Sequence, residues 1–142
     1  MKAVAVVHDL IIGSRIAEAA RRATAELRLA GDVNALPPVA EVDLLLVDWS
    51  ERQPDWGDRL RTWRSSSGDA HLTVVLFGPH TDLAAHAAAR ESGLGPMMAR
   101  SKLVADLDRL LKDQPGEGAQ RLRINEQGHV VSRFIDVDPD QR

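Results

Sequence analysis

The sequence contains no cysteine, so disulfide bonds, thiol catalysis and cysteine-ligated metal sites are excluded for this 142-residue chain. It also has no excess of positive charge. The formal net charge is -3 and the pI is about 5.9, which gives no general electrostatic attraction to nucleic acid. With 44% hydrophobic and 27% charged residues, the composition is typical of a globular protein rather than a disordered or membrane-embedded one.

Long apolar runs are also missing. The first run, residues 3–7, is too short for a signal peptide or a membrane span, so we expect a cytoplasmic protein with no membrane partner. The loop that follows, residues 8–11, lacks the glycines of a nucleotide-binding loop, which argues against flavin and dinucleotide cofactors. No Ser-His-Asp or paired-glutamate constellation is present, so we expect no enzymatic activity.

One apolar run dominates the pattern. Residues 44–47 form an unbroken apolar stretch between Asp43 and Asp48. A short run without alternation is typical of a strand buried on both faces, as in a parallel sheet covered by helices. Open α/β sheets bind their ligands at the carboxyl ends of such strands. Asp48 is therefore the first candidate functional residue.

The remaining elements follow from periodicity and from stop signals. Besides the central run, the predicted strands cover residues 3–7, 32–36, 71–77 and 96–99. The predicted helices cover residues 12–30, ending at Gly31; residues 55–64; a segment capped by Thr81 or Asp82 and ending at Gly93; and a segment capped by Ser101 that reaches Lys112. This alternation predicts an α/β fold with a parallel sheet.

Between the second and third strands, Pro37 and Pro38 prevent a normal helix, so the second helix is absent or reduced to one turn. Right-handed crossovers then give a doubly wound five-stranded sheet in the order 2-1-3-4-5. In that order His8, Asp9, Asp48 and Gly78 share one edge of the sheet, and Arg100 joins them from the fifth strand.

The chain divides into two parts by composition. Residues 1–113 form the predicted domain, and residues 114–142 form a linker and a C-terminal extension. Residues 114–118 are rich in glycine and proline, as linkers are. Residues 121–137 contain two apolar stretches around a polar turn, so this extension is either a hairpin or a flexible arm.

Four segments carry a resemblance to a known family: residues 7–9, 43–48, 74–78 and 97–101. Over residues 2–112 they resemble a response-regulator receiver domain, which has a flavodoxin-like fold. The resemblance implies an acidic pair after the first strand, a phospho-accepting aspartate after the third, a hydroxyl after the fourth and a lysine after the fifth. Asp48 matches the acceptor, and Asp9 matches one member of the acidic pair.

The other positions depart from that pattern, and the chain is therefore similar to an atypical receiver, or pseudo-receiver. His8 replaces the first acid, Gly78 replaces the hydroxyl and Arg100 replaces the lysine; the usual aromatic residue of the fifth strand is also missing. Histidine is a poor Mg²⁺ ligand, so Asp9 and Asp48 would hold Mg²⁺ only weakly, through waters. No other cofactor is implied.

Each candidate also has a structural interpretation. Asp48 is either a phospho-acceptor or the partner of Arg100 in a structural ion pair. Asp9 is either a metal ligand or a helix cap. Trp49 is expected at the cleft, and His80, which follows Gly78 in a turn, either faces the cleft as a ligand or lies in solvent.

Three functional hypotheses remain open. The first is a stand-alone receiver-like signalling module that acts by protein–protein contacts, through the alanine-rich helix with residues 83–90, the fifth strand and the last helix. Its candidate partners are an output protein, a histidine kinase or a second copy of the chain, and residues 121–135 could add a strand to a partner sheet. The second is a phosphorylatable regulator that uses Asp48 with Mg²⁺. The third is a small-anion sensor that uses His8, His80 and Arg100.

Overall fold

In the described residues, five parallel strands form one sheet in the order β2-β1-β3-β4-β5. The computed structural model describes residues 1–66 and 72–112. Its strands are β1 (Lys2–Val6), β2 (Glu26–Ala30), β3 (Leu44–Asp48), β4 (Thr73–Gly78) and β5 (Met97–Ala99). Its helices are α1 (Leu10–Arg22), α2 (Trp56–Ser65), α3 (Leu83–Ser92) and α4 (Arg100–Lys112). The predicted doubly wound sheet and its strand order are confirmed. The predicted linker and hairpin or arm, residues 114–142, lie outside the described residues.

The two faces of the sheet build two apolar layers. Successive residues of β3 point to opposite faces, so Leu44 and Leu46 pack with α1 and α4, whereas Leu45 and Val47 pack with α2 and α3. All five residues of β3 are buried. Each fully buried leucine contributes about 1.5–3 kcal/mol, so β3 is the centre of the fold.

The second helix of the repeat is replaced by two 3-10 turns, Val33–Ala35 and Val39–Glu41. Pro37 and Pro38 separate these turns, as the sequence predicts. The carbonyl of Pro37 accepts a 2.8 Å hydrogen bond from the indole of Trp63, which ties the segment to α2. The shortened second helix is therefore confirmed.

The boundary between the first helix and the second strand differs from the prediction. The sequence predicts a helix up to residue 30 and a strand over residues 32–36, but α1 ends at Arg22 and β2 is Glu26–Ala30. Thr24 adopts a left-handed backbone conformation with φ 56°, which ends the helix. No glycine marks this stop, and alanine and leucine continue at helical spacing beyond it.

The ends of the later helices follow their caps. Of the two predicted caps, Thr81 and Asp82, it is Asp82 whose side chain accepts a hydrogen bond from the backbone N–H of Ala85, and Gly93 ends α3 with φ 78° as predicted. Helix α4 begins at Arg100, so Ser101 lies within its first turn rather than at its cap. In the two described ranges, no helix has the length and apolar character needed to cross a bilayer.

Candidate functional site

The carboxyl edge of the sheet brings the candidate residues to one place. Asp48 ends β3, Gly78 ends β4, and Arg100 follows β5 directly. The register pairs Asp48 with Phe77 and Gly78 with Ala99, so the three candidates lie on adjacent strands. His8 and Asp9 follow β1 on the other side of β3.

Asp48 is enclosed at this edge, with a side chain that is 1% exposed. Its Oδ1 accepts a 2.6 Å hydrogen bond from the hydroxyl of Ser50 and a 3.2 Å bond from the Ser50 backbone N–H. These bonds cap the 3-10 turn Trp49–Glu51 that follows β3. One carboxylate oxygen is therefore held by the next turn of the chain.

The other oxygen faces a cation. Oδ2 of Asp48 lies 3.6 Å from Nη2 of Arg100, whose side chain is 33% exposed. In the described residues neither Asp48 Oδ2 nor Arg100 Nε makes a hydrogen bond, and both atoms are inaccessible to solvent. The contact is thus an ion pair without a hydrogen bond, and it joins β3 to the start of α4. This ion pair with Arg100 is the contact on which the structural interpretation of Asp48 depends.

Asp9 acts as a helix cap in this structure. Its Oδ1 accepts hydrogen bonds from the backbone N–H groups of Ile11, at 2.8 Å, and Ile12, at 3.2 Å. A cation such as Mg²⁺ needs several oxygen ligands in near-octahedral geometry. Residues 1–66 and 72–112 contain no group of three or more histidine or carboxylate side chains placed to hold a metal. In this arrangement Oδ1 of Asp9 is bonded to the first turn of α1 and Oδ1 of Asp48 to Ser50, so a hydrated Mg²⁺ would compete with these bonds for the two carboxylates.

His8 turns toward the end of β2. Its Nε2 donates to the carbonyl of Gly31 at 2.7 Å, and its Nδ1 lies 3.6 Å from a carboxylate oxygen of Glu51. A Cβ atom at residue 31 would lie 3.3 Å from Nε2, so glycine gives this imidazole room. His8 thereby links the ends of β1 and β2 to the turn after Asp48.

Gly78 has a neighbour that fills the space beside it. A Cβ atom at residue 78 would lie 2.9 Å from the sulfur of Met97 and 3.6 Å from Cβ of Ser50. The first distance is shorter than Cβ contacts in proteins, so a larger residue at 78 requires Met97 to move. Met97 is buried in the layer under α2 and α3.

The remaining candidates lie in different surroundings. Trp49 is buried and packs in the core with Trp56 rather than lying over the edge of the sheet. The guanidinium of Arg52 lies 5.7 Å from the centroid of its ring and donates to its carbonyl. His80 is exposed in the turn between β4 and α3. The structure thus brings Asp48, Gly78 and Arg100 together. Trp49 instead packs in the core, and His8 binds Gly31.

Comparison with solved structures identifies the fold of this chain. No family model and no curated protein matches the chain. A response regulator from Hahella chejuensis matches with a TM-score of 0.57 at 12% identity, over 78% of this chain and 88% of that one. A receiver domain protein from Clostridium thermocellum matches with a TM-score of 0.54 at 16% identity, over 78% and 93%. The receiver domain of the Francisella response regulator 1452 gives 0.51 at 16%, over 78% and 96%.

This chain has the receiver fold. At these identities the likeness concerns the fold, and the roles of the residues at the edge of the sheet depend on their own geometry. Within that fold, Asp48 and Arg100 occupy the ends of β3 and β5, which is where the resemblance places an acceptor and a cation.

Two residues at this edge of the sheet, Ser50 and Met97, were not predicted from the sequence. Ser50 binds Asp48, and its position two residues after an aspartate at a strand end is a recognised spacing for a side-chain turn, so a signal was available. Met97 fills the space beside Gly78, but an apolar residue in a short strand carries no signal for that role.

Proposed function

We propose that this chain is a receiver-like signalling module that acts through protein–protein contacts and does not switch by phosphorylation of Asp48. The observation that carries this proposal is the enclosure of the Asp48 carboxylate between Ser50 and Arg100. The receiver fold supports the signalling role, since its solved relatives are response regulators and receiver domains.

The chemistry of acyl phosphate formation argues against phosphorylation here. A carboxylate oxygen must reach the phosphorus in line with the leaving group, and a cation must neutralise the phosphoryl oxygens. Oδ1 of Asp48 is bonded to Ser50, and Oδ2 is inaccessible beside Arg100. Asp9, the second acid, caps α1. A phosphodonor would have to break these contacts before the reaction could begin.

The same contacts hold the edge of the sheet in one arrangement. The Arg100 ion pair joins β3 to α4, and Met97 fills the space beside Gly78 where a moving hydroxyl would otherwise stand. A module of this kind presents a constant surface to its partners. We place that surface on α3, β5 and α4, which follow directly from this edge.

Two features of this surface suit a protein partner. Leu83, the first residue of α3, is 76% exposed although it is large and apolar. On α4, Asp106 accepts hydrogen bonds from Lys102 at 2.9 Å and Arg109 at 3.1 Å, so these three charged side chains are already ordered. Exposed apolar anchors and ordered polar groups are both common in contact surfaces; here they lie on two helices that pack on opposite faces of the sheet on either side of β5.

Intact-mass spectrometry after incubation with acetyl phosphate and Mg²⁺ tests the proposal. We expect no phosphorylated species of the wild-type chain. Stoichiometric addition of one phosphoryl group that disappears in Asp48→Asn, and persists in the exposed control Asp58→Asn, would show a working phospho-acceptor and overturn it.

The anion-sensor hypothesis has a separate test in the same protein. Arg100 already faces Asp48, and His8 is bonded to Gly31, so these two candidate anion ligands are engaged in other contacts. Calorimetric titration with inorganic phosphate is therefore expected to show no binding. Binding that survives Asp48→Asn but is lost in Arg100→Ala would support the sensor instead.

A further inference from the structure

The outer edge of β2 is open in the described part of the chain. The backbone N–H of Glu26 donates to Met1 at 2.9 Å, and the carbonyl of Ala30 accepts from Val7 at 3.1 Å, so residues 26, 28 and 30 direct their backbone groups at β1. In a parallel ladder alternate residues face opposite sides. The N–H groups of Leu27 and Leu29 therefore point away from β1. No strand formed by residues 1–66 or 72–112 lies on that side.

This edge also carries apolar surface. The side chain of Leu29 is 53% exposed, which is unusual for a large apolar residue within a strand. Exposed edge strands recruit further strands unless charge, proline or a covering segment protects them; on β2 the exposed charges of Glu26 and Arg28 lie on the face opposite Leu29, which leaves the Leu29 face uncharged. The outer edge of β2 thus offers a further strand both free backbone N–H groups, within the described residues, and the apolar side chain of Leu29.

A depression adjoins the edge where the second helix is missing. It has a volume of about 400 Å³ and lies between β1, β2 and the segment with the two 3-10 turns. Its lining includes Val4, Glu26, Arg28, Pro37 and Glu41. In a full α/β repeat a helix packs over this part of the sheet. Here the two turns leave it uncovered.

We propose that the C-terminal segment of the same chain covers this region, with residues 129–135 paired to the outer edge of β2. The segment lies outside the described residues, and its sequence suits a strand. Residues 130, 132 and 134 (Val, Ser, Phe) would face one side, and residues 131, 133 and 135 (Val, Arg, Ile) the other. The apolar members of both sets would gain burial against Leu29 and the depression.

The end of α4 lies at the amino edge of the sheet, which is the edge where β2 begins. Helix α4 starts at the carboxyl edge and therefore ends at the amino edge, where β2 begins. Near that end Asp108 accepts a 2.9 Å hydrogen bond from Arg22, the last residue of α1, and only three residues separate Arg22 from Glu26.

The length of the chain also suffices. Five strand spacings, from β5 to a new strand beyond β2, measure about 24 Å. Residues 113–128 span up to roughly 50 Å when extended. Because the segment is covalently attached, its effective concentration at the edge is in the millimolar range for a short flexible linker, which favours it over a separate chain.

Hydrogen exchange measured by NMR on the full chain tests the pairing. In the wild-type chain the amides of Leu27 and Leu29 are expected to exchange at least about tenfold more slowly than in one of the two full-chain variants Val130→Pro and Val131→Pro. Adjacent residues face opposite sides of a strand, so one of these prolines removes an N–H directed at β2. The linker variant Glu117→Pro is the control and should keep the protection. The amide of Leu45 in β3 reports that all variants are folded.

Two results would overturn the proposal. Fast exchange at Leu27 and Leu29 in the wild-type chain, with Arg28 still protected, would show that the edge is open. Protection that grows with protein concentration together with a doubled mass in light scattering would show that a second copy provides the strand. Because neither result concerns Asp48, this test is independent of the proposed function.

Discussion

The sulfur of Met97 lies 2.9 Å from the position that a Cβ atom at residue 78 would take, so Gly78 and Met97 form a matched pair at the edge of the sheet. Glycine leaves the space, and the thioether fills it. In the receiver fold this space lies between the ends of β4 and β5. The match explains why the hydroxyl position can lack a side chain without leaving a cavity.

We expect Gly78→Thr to destabilise the protein by about 1–3 kcal/mol, because the new side chain overlaps with Met97 in a packed region. The double variant Gly78→Thr/Met97→Ala should recover part of this loss, since shortening Met97 opens the space. Chemical denaturation of the four proteins in the cycle measures the coupling. If the two effects simply add, Met97 does not restrict residue 78.

The ion pair between Asp48 and Arg100 gives a second prediction. Arg100→Met should destabilise the protein by about 2–3 kcal/mol, less than the roughly 3–5 kcal/mol of a fully buried pair because a third of Arg100 is exposed. Adding Asp48→Asn should reduce the loss, since the uncompensated charge is then absent.

The matched control for that experiment is Arg22→Met. Arg22 pairs with Asp108 on the surface, where both side chains are more than half exposed, so its loss should change the free energy of unfolding by no more than about 1 kcal/mol. Equal effects of Arg100→Met and Arg22→Met on urea denaturation would contradict a structural role for the buried pair.

The charged group on α4 predicts a pH dependence. The hydrogen bond from Lys102 is the main cause that lowers the pKa of Asp106 below its ordinary 3.8, and the bond from Arg109 adds to it. A carboxyl group whose pKa is lower in the folded state stabilises the fold above pH 3.8. That contribution is lost as the pH falls through the lowered value.

NMR titration of the Asp106 carboxyl carbon checks this relationship. Its pKa should rise toward 3.8 in Lys102→Gln, because the hydrogen bond from the Lys102 ammonium is gone. Lys112→Gln, at the exposed end of the same helix, is the control and should leave the titration of Asp106 unchanged. An unaltered pKa in Lys102→Gln would mean that the hydrogen bond does not persist in solution.

The contact surface proposed for α3, β5 and α4 can be tested at Leu83. We expect Leu83→Lys to weaken association with a partner or with a second copy by at least about tenfold, because it removes an exposed apolar anchor. Leu10→Lys is a well-matched control: Leu10 is 84% exposed and is likewise the first residue of its helix, α1. Analytical ultracentrifugation across concentrations measures the difference for association with a second copy. Equal effects of both substitutions would place the contact elsewhere.

Much of this fold could be predicted because its signals are strong and local. Three signals each predicted an element that the structure contains. The apolar run before Asp48 predicted β3, the prolines at 37 and 38 predicted the shortened second helix, and the cap at Thr81 or Asp82 predicted α3. The first helix was predicted too long because its stop depends on the backbone conformation of Thr24, for which a threonine gives no warning.

The candidate site could be predicted only in its location. The order and direction of the strands bring Asp48, Gly78 and Arg100 to one edge, and this order can be predicted from the sequence pattern. Their contacts depend on how individual side chains pack, such as the hydroxyl of Ser50 on Asp48 and the sulfur of Met97 over Gly78. The distance from Met97 to residue 78 arises from tertiary packing, and no local spacing encodes it, whereas the two-residue spacing of Asp48 and Ser50 does carry a local signal.

The two 3-10 turns between β2 and β3 have a consequence for the order of folding. Thirteen residues, 31–43, connect these strands, and no long helix has to form on the way. Short connections close at a low entropic cost, so β1 and β3 can pair early around the most buried run of the chain. The edge strands β2 and β5, each held by one neighbour in the described residues, would then dock after these central strands during folding.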